Sequence, residues 1–261
     1  MNARIKIFSK ANMLGQHLSL ILVLLITVFL TLTVNNSFVL GHIIMKIPKV
    51  TSLLSGFSVK ATRIIFFTFL GLASYIALVP FRYGSDVWFY ENAKKTRLPL
   101  KQLFSFYSIK KSSSALNLVT LVELKKLLCT LIFLLPSLVI TGYIFYALGE
   151  GVGTKMLLSL IAGDILLLLT GVFFSFVFSQ RYFLAAYIMY ENDNCKAGDA
   201  IKLSAQIMEN KCFETAFFKL SFSGWFFLCL FIFPTLYVYP FYKMSNSLKA
   251  VSLLANTENN A

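Results

Sequence analysis

Residues 156–178 read MLLSLIAGDILLLLTGVFFSFVF, with Asp164 the one charged side chain in the stretch. As a helix rising about 1.5 Å per residue, such a run is about 35 Å long, enough to cross a hydrocarbon core of about 30 Å. The whole chain has the same character. Of its 261 residues 57% are hydrophobic and 13% charged, with 27 Phe and 12 Tyr, and the mean hydropathy is +0.74. Soluble domains carry about 25% charge, so a water-soluble globule is excluded. A chain this apolar cannot stay solvated as a disordered one, and four Cys are too sparse for a disulfide scaffold. The composition leaves an integral membrane protein.

Four more apolar runs lie outward from this one. Residues 127–148 contain Pro136, where a missing backbone donor predicts a kink. Residues 64–81 end at Pro80, and residues 220–239 carry Pro234 near their far end. Residues 18–34 follow Arg4, Lys6 and Lys10 and are closed by Asn35, Asn36 and Ser37. This run is longer than a usual signal h-region and no A-x-A-like site follows it, so it reads as an uncleaved first span. Residues 38–57 are interrupted by Lys46, Pro48 and Lys49 and read as interfacial or re-entrant, with a sixth span there as the alternative. The expected fold is an all-α polytopic transmembrane helical bundle of about five spans. It divides into a lead segment (1–63), a first span pair with a basic cytoplasmic loop (64–148), a second span pair with an amphipathic cytoplasmic segment (149–243) and a polar C-terminal tail (244–261).

Orientation follows from Lys and Arg, which are retained on the cytoplasmic side. With the N-terminus inside, seventeen cations fall inside and seven outside. Five spans then put the C-terminus outside. Lys60 and Arg63, beside the second span, are discordant. The expected location is the cell membrane, crossed several times.

The chain also resembles itself at a period of about 100 residues. Arg82-Tyr83 and Tyr90-Glu91-Asn92 recur as Arg181-Tyr182 and Tyr190-Glu191-Asn192, and Leu100, Leu103 and Tyr107 as Ala200, Leu203 and Ile207. Pro136 falls near Pro234 when two residues are dropped. Both copies would run the same way through the membrane, as a parallel repeat. The alternative is that aromatic juxtamembrane segments share a composition. In each copy a short amphipathic helix is expected, behind Pro99 in one and capped by Asp199 in the other, with Leu203, Ile207 and Met208 on one face of the second.

Three sets of residues invite functional readings. Asp164 is an acid about two turns, or about 12 Å, into an apolar run, where a proton or cation relay is the functional hypothesis and protonation or interfacial water the plain one. Ser159, Gly163, Gly171, Ser175 and Ser179 lie at multiples of four on the same helix and suit close helix packing. Lys94, Lys95, Arg97, Lys101, Lys110 and Lys111 belong to a loop of net charge +6 that could hold anionic lipid headgroups or a partner, although positive-inside retention also accounts for them. Glu123 and Lys126 form an i,i+3 pair at the interface. His17 and His42 have no companion ligands, and the four Cys form no C-x-x-C pair, so no metal or other cofactor is expected. Phosphate-binding loops, H-E-x-x-H and G-x-S-x-G are missing from the sequence. The cations are spread over loops between spans, so nucleic acid is not an expected partner.

From Arg181 onward the wording is familiar. Arg181-Tyr182, Tyr190-Glu191-Asn192, Lys202-Leu203-Ser204, Met208, the run LSFSGW at residues 220–225 and Tyr239-Pro240-Phe241-Tyr242 resemble the C-terminal half of a bacterial membrane-protein family, the domain of unknown function 975. Asp193, Lys211 and Phe241 depart from the family's usual Pro, Gly and P-Y. Residues 80–106 match more loosely. The resemblance implies a multi-span helical membrane protein of bacterial source and no particular chemistry. Three functional classes follow: a nonenzymatic membrane component that scaffolds a partner complex, a transporter or permease subunit using Asp164, and, weakest, a lipid-acting enzyme using Asp164 or Glu123. The expectation is the first, and not an enzyme.

Overall fold

The computed structural model describes residues 2–44, 59–96, 98–150, 153–192, 195–229 and 232–258, with side chains at these positions except 17, 34–44, 59–63, 232–233 and 258. Among the described residues the fold is all-α and 89% helical, with no strands. Its helices are α1 (Asn2–Met13), α2 (His17–Ile44), α3 (Val59–Ala93), a 3₁₀ segment (Leu100–Tyr107), α4 (Ile109–Gly149), α5 (Thr154–Ser179), a 3₁₀ turn (Gln180–Tyr182), α6 (Ala185–Glu191), α7 (Ala197–Ile207), α8 (Cys212–Leu220), α9 (Ser223–Leu228) and α10 (Ile232–Glu258). Among the described residues three helices are long and apolar enough to cross a membrane, α3, α4 and α5 with its continuation, and a fourth span is counted if α1 and α2 form one bent unit. Only 6% of the most apolar window of α4, and the same share in α5, is buried within the protein. Apolar surface of that extent is stable only against lipid.

Several helices outrun the apolar runs that predict them. The structure carries α2 past Asn35 and Asn36 to Ile44, because main-chain bonds of a helix do not depend on side-chain polarity. Residues 45–58, the core of the expected interfacial segment, lie outside the described residues. Pro80 does not end α3, which continues for thirteen residues beyond it. A proline inside a helix costs about 3 kcal/mol, and here burial of Val79, Phe81, Tyr83, Val87, Trp88, Phe89 and Tyr90 offsets it. Helix α4 likewise runs through Pro136 and spans 41 residues, about 62 Å. Its first turns, with Lys110 and Lys111, therefore lie well ahead of the apolar run 127–148.

The fifth run does not form one helix. Residues 220–239 are divided among the end of α8, the short α9 and the start of α10. Pro234 explains the break, since a helix continuing from α9 would need its missing donor, whereas in the first turn of α10 no intrahelical donor is required. Residues 244–258 are not a tail. They continue α10 and bury Met244, Ser245, Ser247, Lys249, Ala250 and Leu253.

The contacts divide into two compact units, Met1–Leu116 with Gly224–Asn256, and Asn117–Ser223 with Thr257–Ala261. In the first unit, the end of α3 forms the core with Leu103 and Phe106 of the 3₁₀ segment, which folds back so that Tyr83 and Phe106 meet edge to face at 4.7 Å. Gly84 is required there, because any Cβ would collide with the Leu103 carbonyl. Helices α1 and α10 close the unit through Ser9 Oγ and Ser245 Oγ (2.8 Å) and through Lys249 Nζ, which donates to Asn2 Oδ1 (3.3 Å). In the second unit, α4 and α5 form an antiparallel hairpin, and α6, α7 and α8 pack about the turn that follows α5.

Candidate functional site

Asp164 is held by two hydroxyls from the facing helix. Ser137 Oγ donates to Asp164 Oδ1 at 2.7 Å and Thr141 Oγ1 donates to Asp164 Oδ2 at 2.8 Å. Ser137 and Thr141 are four residues apart and so share one face of α4, and Ser137 is buried. An acid in lipid without such partners would be several kcal/mol less favourable. Sequence reading passed over both hydroxyls. Their signal was a Ser and a Thr one turn apart inside an apolar run, directly after Pro136.

The small residues of α5 separate into two groups. Gly171 lies against α4 so closely that a Cβ would come within 2.6 Å of the Phe133 carbonyl oxygen. Ser175 Oγ meets Thr130 Oγ1 at 2.7 Å, and Phe133 packs on Phe174 and Phe178. By contrast, Ser159 is exposed and bonds to its own helix, a Cβ on Gly163 would meet open space, and Ser179 bonds back to Phe176 O. The close approach therefore belongs to Gly171 and Ser175, beside the Phe133 turn.

The two similar segments share one local contact and differ elsewhere. Asn92 Nδ2 donates to Trp88 O at 2.8 Å, and Asn192 Nδ2 donates to Ile188 O at 3.3 Å, each four residues back. The first copy ends in a Schellman motif: Thr96 N–H bonds to Glu91 O, Lys95 N–H bonds to Asn92 O, and Lys95 takes the left-handed conformation at φ 68°. The Thr96 hydroxyl also donates to Glu91 Oε2 at 2.8 Å. Tyr83 and Tyr90 are buried, while Arg82 is exposed.

In the second copy the helix breaks at Gln180–Tyr182, and buried Ser204 latches the turn. Its Oγ donates to Arg181 O at 2.7 Å and accepts from Leu184 N–H at 3.2 Å. A Cβ at position 84 would meet the Leu103 carbonyl, whereas Leu184 N–H meets Ser204, one residue out of the register that pairs 103 with 203. The inward face of α7 is Ala200, Ile201, Ser204 and Met208, so Leu203 points outward, one position off the expected face. Asp199 does not cap α7. It lies in the first turn, where the helix dipole favours an acid.

Arg181 stands over the Phe178 ring at 5.6 Å, Tyr182 and Tyr190 are half-buried, and Glu191 closes α6. Lys219 Nζ donates to Gln180 Oε1 at 2.7 Å and sits 4.3 Å over the Phe183 ring. Burial pushes the Cys212 thiol above its usual range, against the pull of Arg181.

The basic residues gather with exposed apolar side chains. Lys101, Lys110 and Lys111 are exposed, and beside them in sequence Phe104, Tyr107 and Ile109 are 46%, 44% and 91% exposed. Lys94 and Lys95 are exposed at the C-terminal end of α3, where the helix dipole favours cations, with Lys94 over the Tyr90 ring at 4.6 Å. Arg97 and the His17 and His42 side chains lie outside the described residues. Glu123 and Lys126 form their expected ion pair at 3.7 Å, both well exposed.

A family model described as protein of unknown function (DUF975) matches residues 1–249. No curated protein and no solved structure matches the chain. That family match covers nearly the whole chain, including the Arg-Tyr turn, its Ser204 latch and the helices apolar enough for a bilayer, and this helical membrane protein belongs to the DUF975 family.

Proposed function

We propose that the protein is a nonenzymatic, multi-pass component of a bacterial cell membrane that accompanies another membrane protein and holds anionic lipid at its cytoplasmic face. The observation that carries this reading is the pairing of exposed Lys101, Lys110 and Lys111 with exposed Phe104, Tyr107 and Ile109. Apolar side chains that enter the headgroup boundary, with lysines beside them, are the chemistry of an interfacial segment, and each cation near an anionic surface is worth about 1 kcal/mol. The excess of cations on three segments supports a cytoplasmic N-terminus. Purification in mild detergent followed by mass spectrometry of accompanying lipids and proteins tests the reading. Anionic lipid should be enriched, and Lys101→Glu with Lys110→Glu and Lys111→Glu should deplete it. An unchanged lipid profile would overturn the lipid role.

A second reading, a transport subunit, is favoured by the Asp164 cluster, since a carboxylate between two spans with two hydroxyls beside it can bind a proton or a small cation. Reconstituted vesicles test it. A flux abolished by Asp164→Asn would support this reading, and the absence of flux with candidate cations and solutes would remove it.

A further inference from the structure

Helix α9 and the start of α10 run back past each other. Trp225 and Phe241 meet edge to face with ring centroids 6.0 Å apart, and Phe226 and Tyr242 meet at 5.2 Å. Each pair is separated by sixteen residues, which in a continuous spanning helix is about 24 Å of rise. Aromatic contacts at such short range cannot bridge that distance. The six residues of α9 rise only about 9 Å, under a third of a hydrocarbon core. At the far end Thr235 Oγ1 donates to Cys229 O at 3.3 Å, giving a partner to a carbonyl that the helix break leaves free. Trp225, Phe226, Phe227 and Leu228 are all exposed, as side chains that enter lipid must be.

Beyond these aromatic pairs α10 meets α3 and α1. Lys243 Nζ pairs with Asp86 Oδ1 on α3, Ser245 Oγ meets Ser9 Oγ on α1, and Lys249 Nζ donates to Asn2 Oδ1. Asn12 Nδ2 donates to Ala93 O, so the end of α3 lies beside α1 as well. Between Met13 and Ala93 the chain therefore returns to the side it left. These contacts hold residues 2–12, 86–93 and 243–249 in one cluster.

From this we infer that residues 223–229 and 232–242 are the two arms of a re-entrant helical hairpin, entering and leaving the membrane on one face, so that the C-terminus lies on the same side as the N-terminus. The fifth run is not a span, and the outward C-terminus expected from five spans is replaced by an inward one when the N-terminus is cytoplasmic. The revision also moves Lys243 and Lys249 inside, bringing nineteen of the 24 cations to one face. It rests on contacts of this unit and not on the proposed lipid or partner role.

Full-length chains carrying a reporter at either terminus test the inference. A fluorescent protein that matures only in the cytoplasm and a phosphatase active only outside should give the same sidedness at both ends. Opposite sidedness of the two termini would overturn the hairpin. Both ends reporting outside would keep the hairpin and overturn only the cytoplasmic assignment of the N-terminus. A second measurement guards against misplacement by a fused reporter. Ala3 and Ala255 are both exposed, and the single-Cys variants Ala3→Cys and Ala255→Cys, each in a chain otherwise lacking Cys, should be labelled from the same side by an impermeant thiol reagent. Labelling from opposite sides would again overturn the inference.

Discussion

Ser137 Oγ donates to Asp164 Oδ1 at 2.7 Å across the α4–α5 hairpin. With Thr141 on the second carboxylate oxygen, each oxygen has one hydroxyl donor. Interhelical hydrogen bonds in bilayers contribute about 0.6 to 2 kcal/mol. Ser137→Ala and Thr141→Val should each lower thermal stability in detergent by that order, and each effect should shrink in an Asp164→Leu background. Additive losses in that background would show that the bonds do not hold the hairpin.

Glycine positions should separate by what a methyl group meets. Gly171→Ala drives a Cβ toward the Phe133 carbonyl and Gly84→Ala toward the Leu103 carbonyl, and backbone cannot give way as a flexible side chain can. Overpacking of this kind costs about 1–3 kcal/mol. Gly142→Ala and Gly163→Ala open onto space and should be neutral or stabilising by up to about 1 kcal/mol in their helices. Melting temperatures of the four variants in one detergent would check the division.

Ser204→Ala should loosen the turn after α5. It removes a donor to Arg181 O and an acceptor from Leu184 N–H in a buried place, a loss of about 1–3 kcal/mol. Hydrogen exchange should rise at Leu184 and the neighbouring turn while exchange in the α4–α5 hairpin stays unchanged.

The Lys243–Asp86 pair should be insensitive to neutral pH. Burial lowers the Lys243 pKa, but Asp86 and Tyr239 more than compensate, so the ammonium titrates above its ordinary value of 10.5. A raised folded value means the contribution is complete below 10.5 and is lost as pH rises through the higher folded value. Lys243→Met, which leaves the half-buried carboxylate unpaired, should destabilise the protein by about 1–3 kcal/mol across neutral pH. On the alkaline side the difference from the parent chain should narrow only once the lysine loses its proton, above 10.5.

Much of the architecture was legible in residue order. The runs 64–81, 127–148 and 156–178 lie within helices of the predicted type, because about twenty apolar residues in a row have few other stable arrangements. Asn92 and Asn192, which end the two similar Tyr-Glu-Asn triplets, each bond to a carbonyl four residues back along a helix. Helix ends were less legible. Pro80 is a stop signal by local rules, and the buried aromatic face beyond it overrides that signal through contacts with residues about twenty positions away.

What the sequence by itself determined is helicity and membrane character, since these follow from composition and run length. Tertiary structure decided which hydroxyls serve Asp164, which of the small residues of α5 meet α4, and that residues 220–239 are divided among α8, α9 and α10 instead of forming one helix. The physical reason is range. A hydropathy run measures how much apolar surface a segment has, whereas the meeting of Trp225 with Phe241, or of Lys243 with Asp86, depends on a fold that brings together residues separated by 16 or 157 positions.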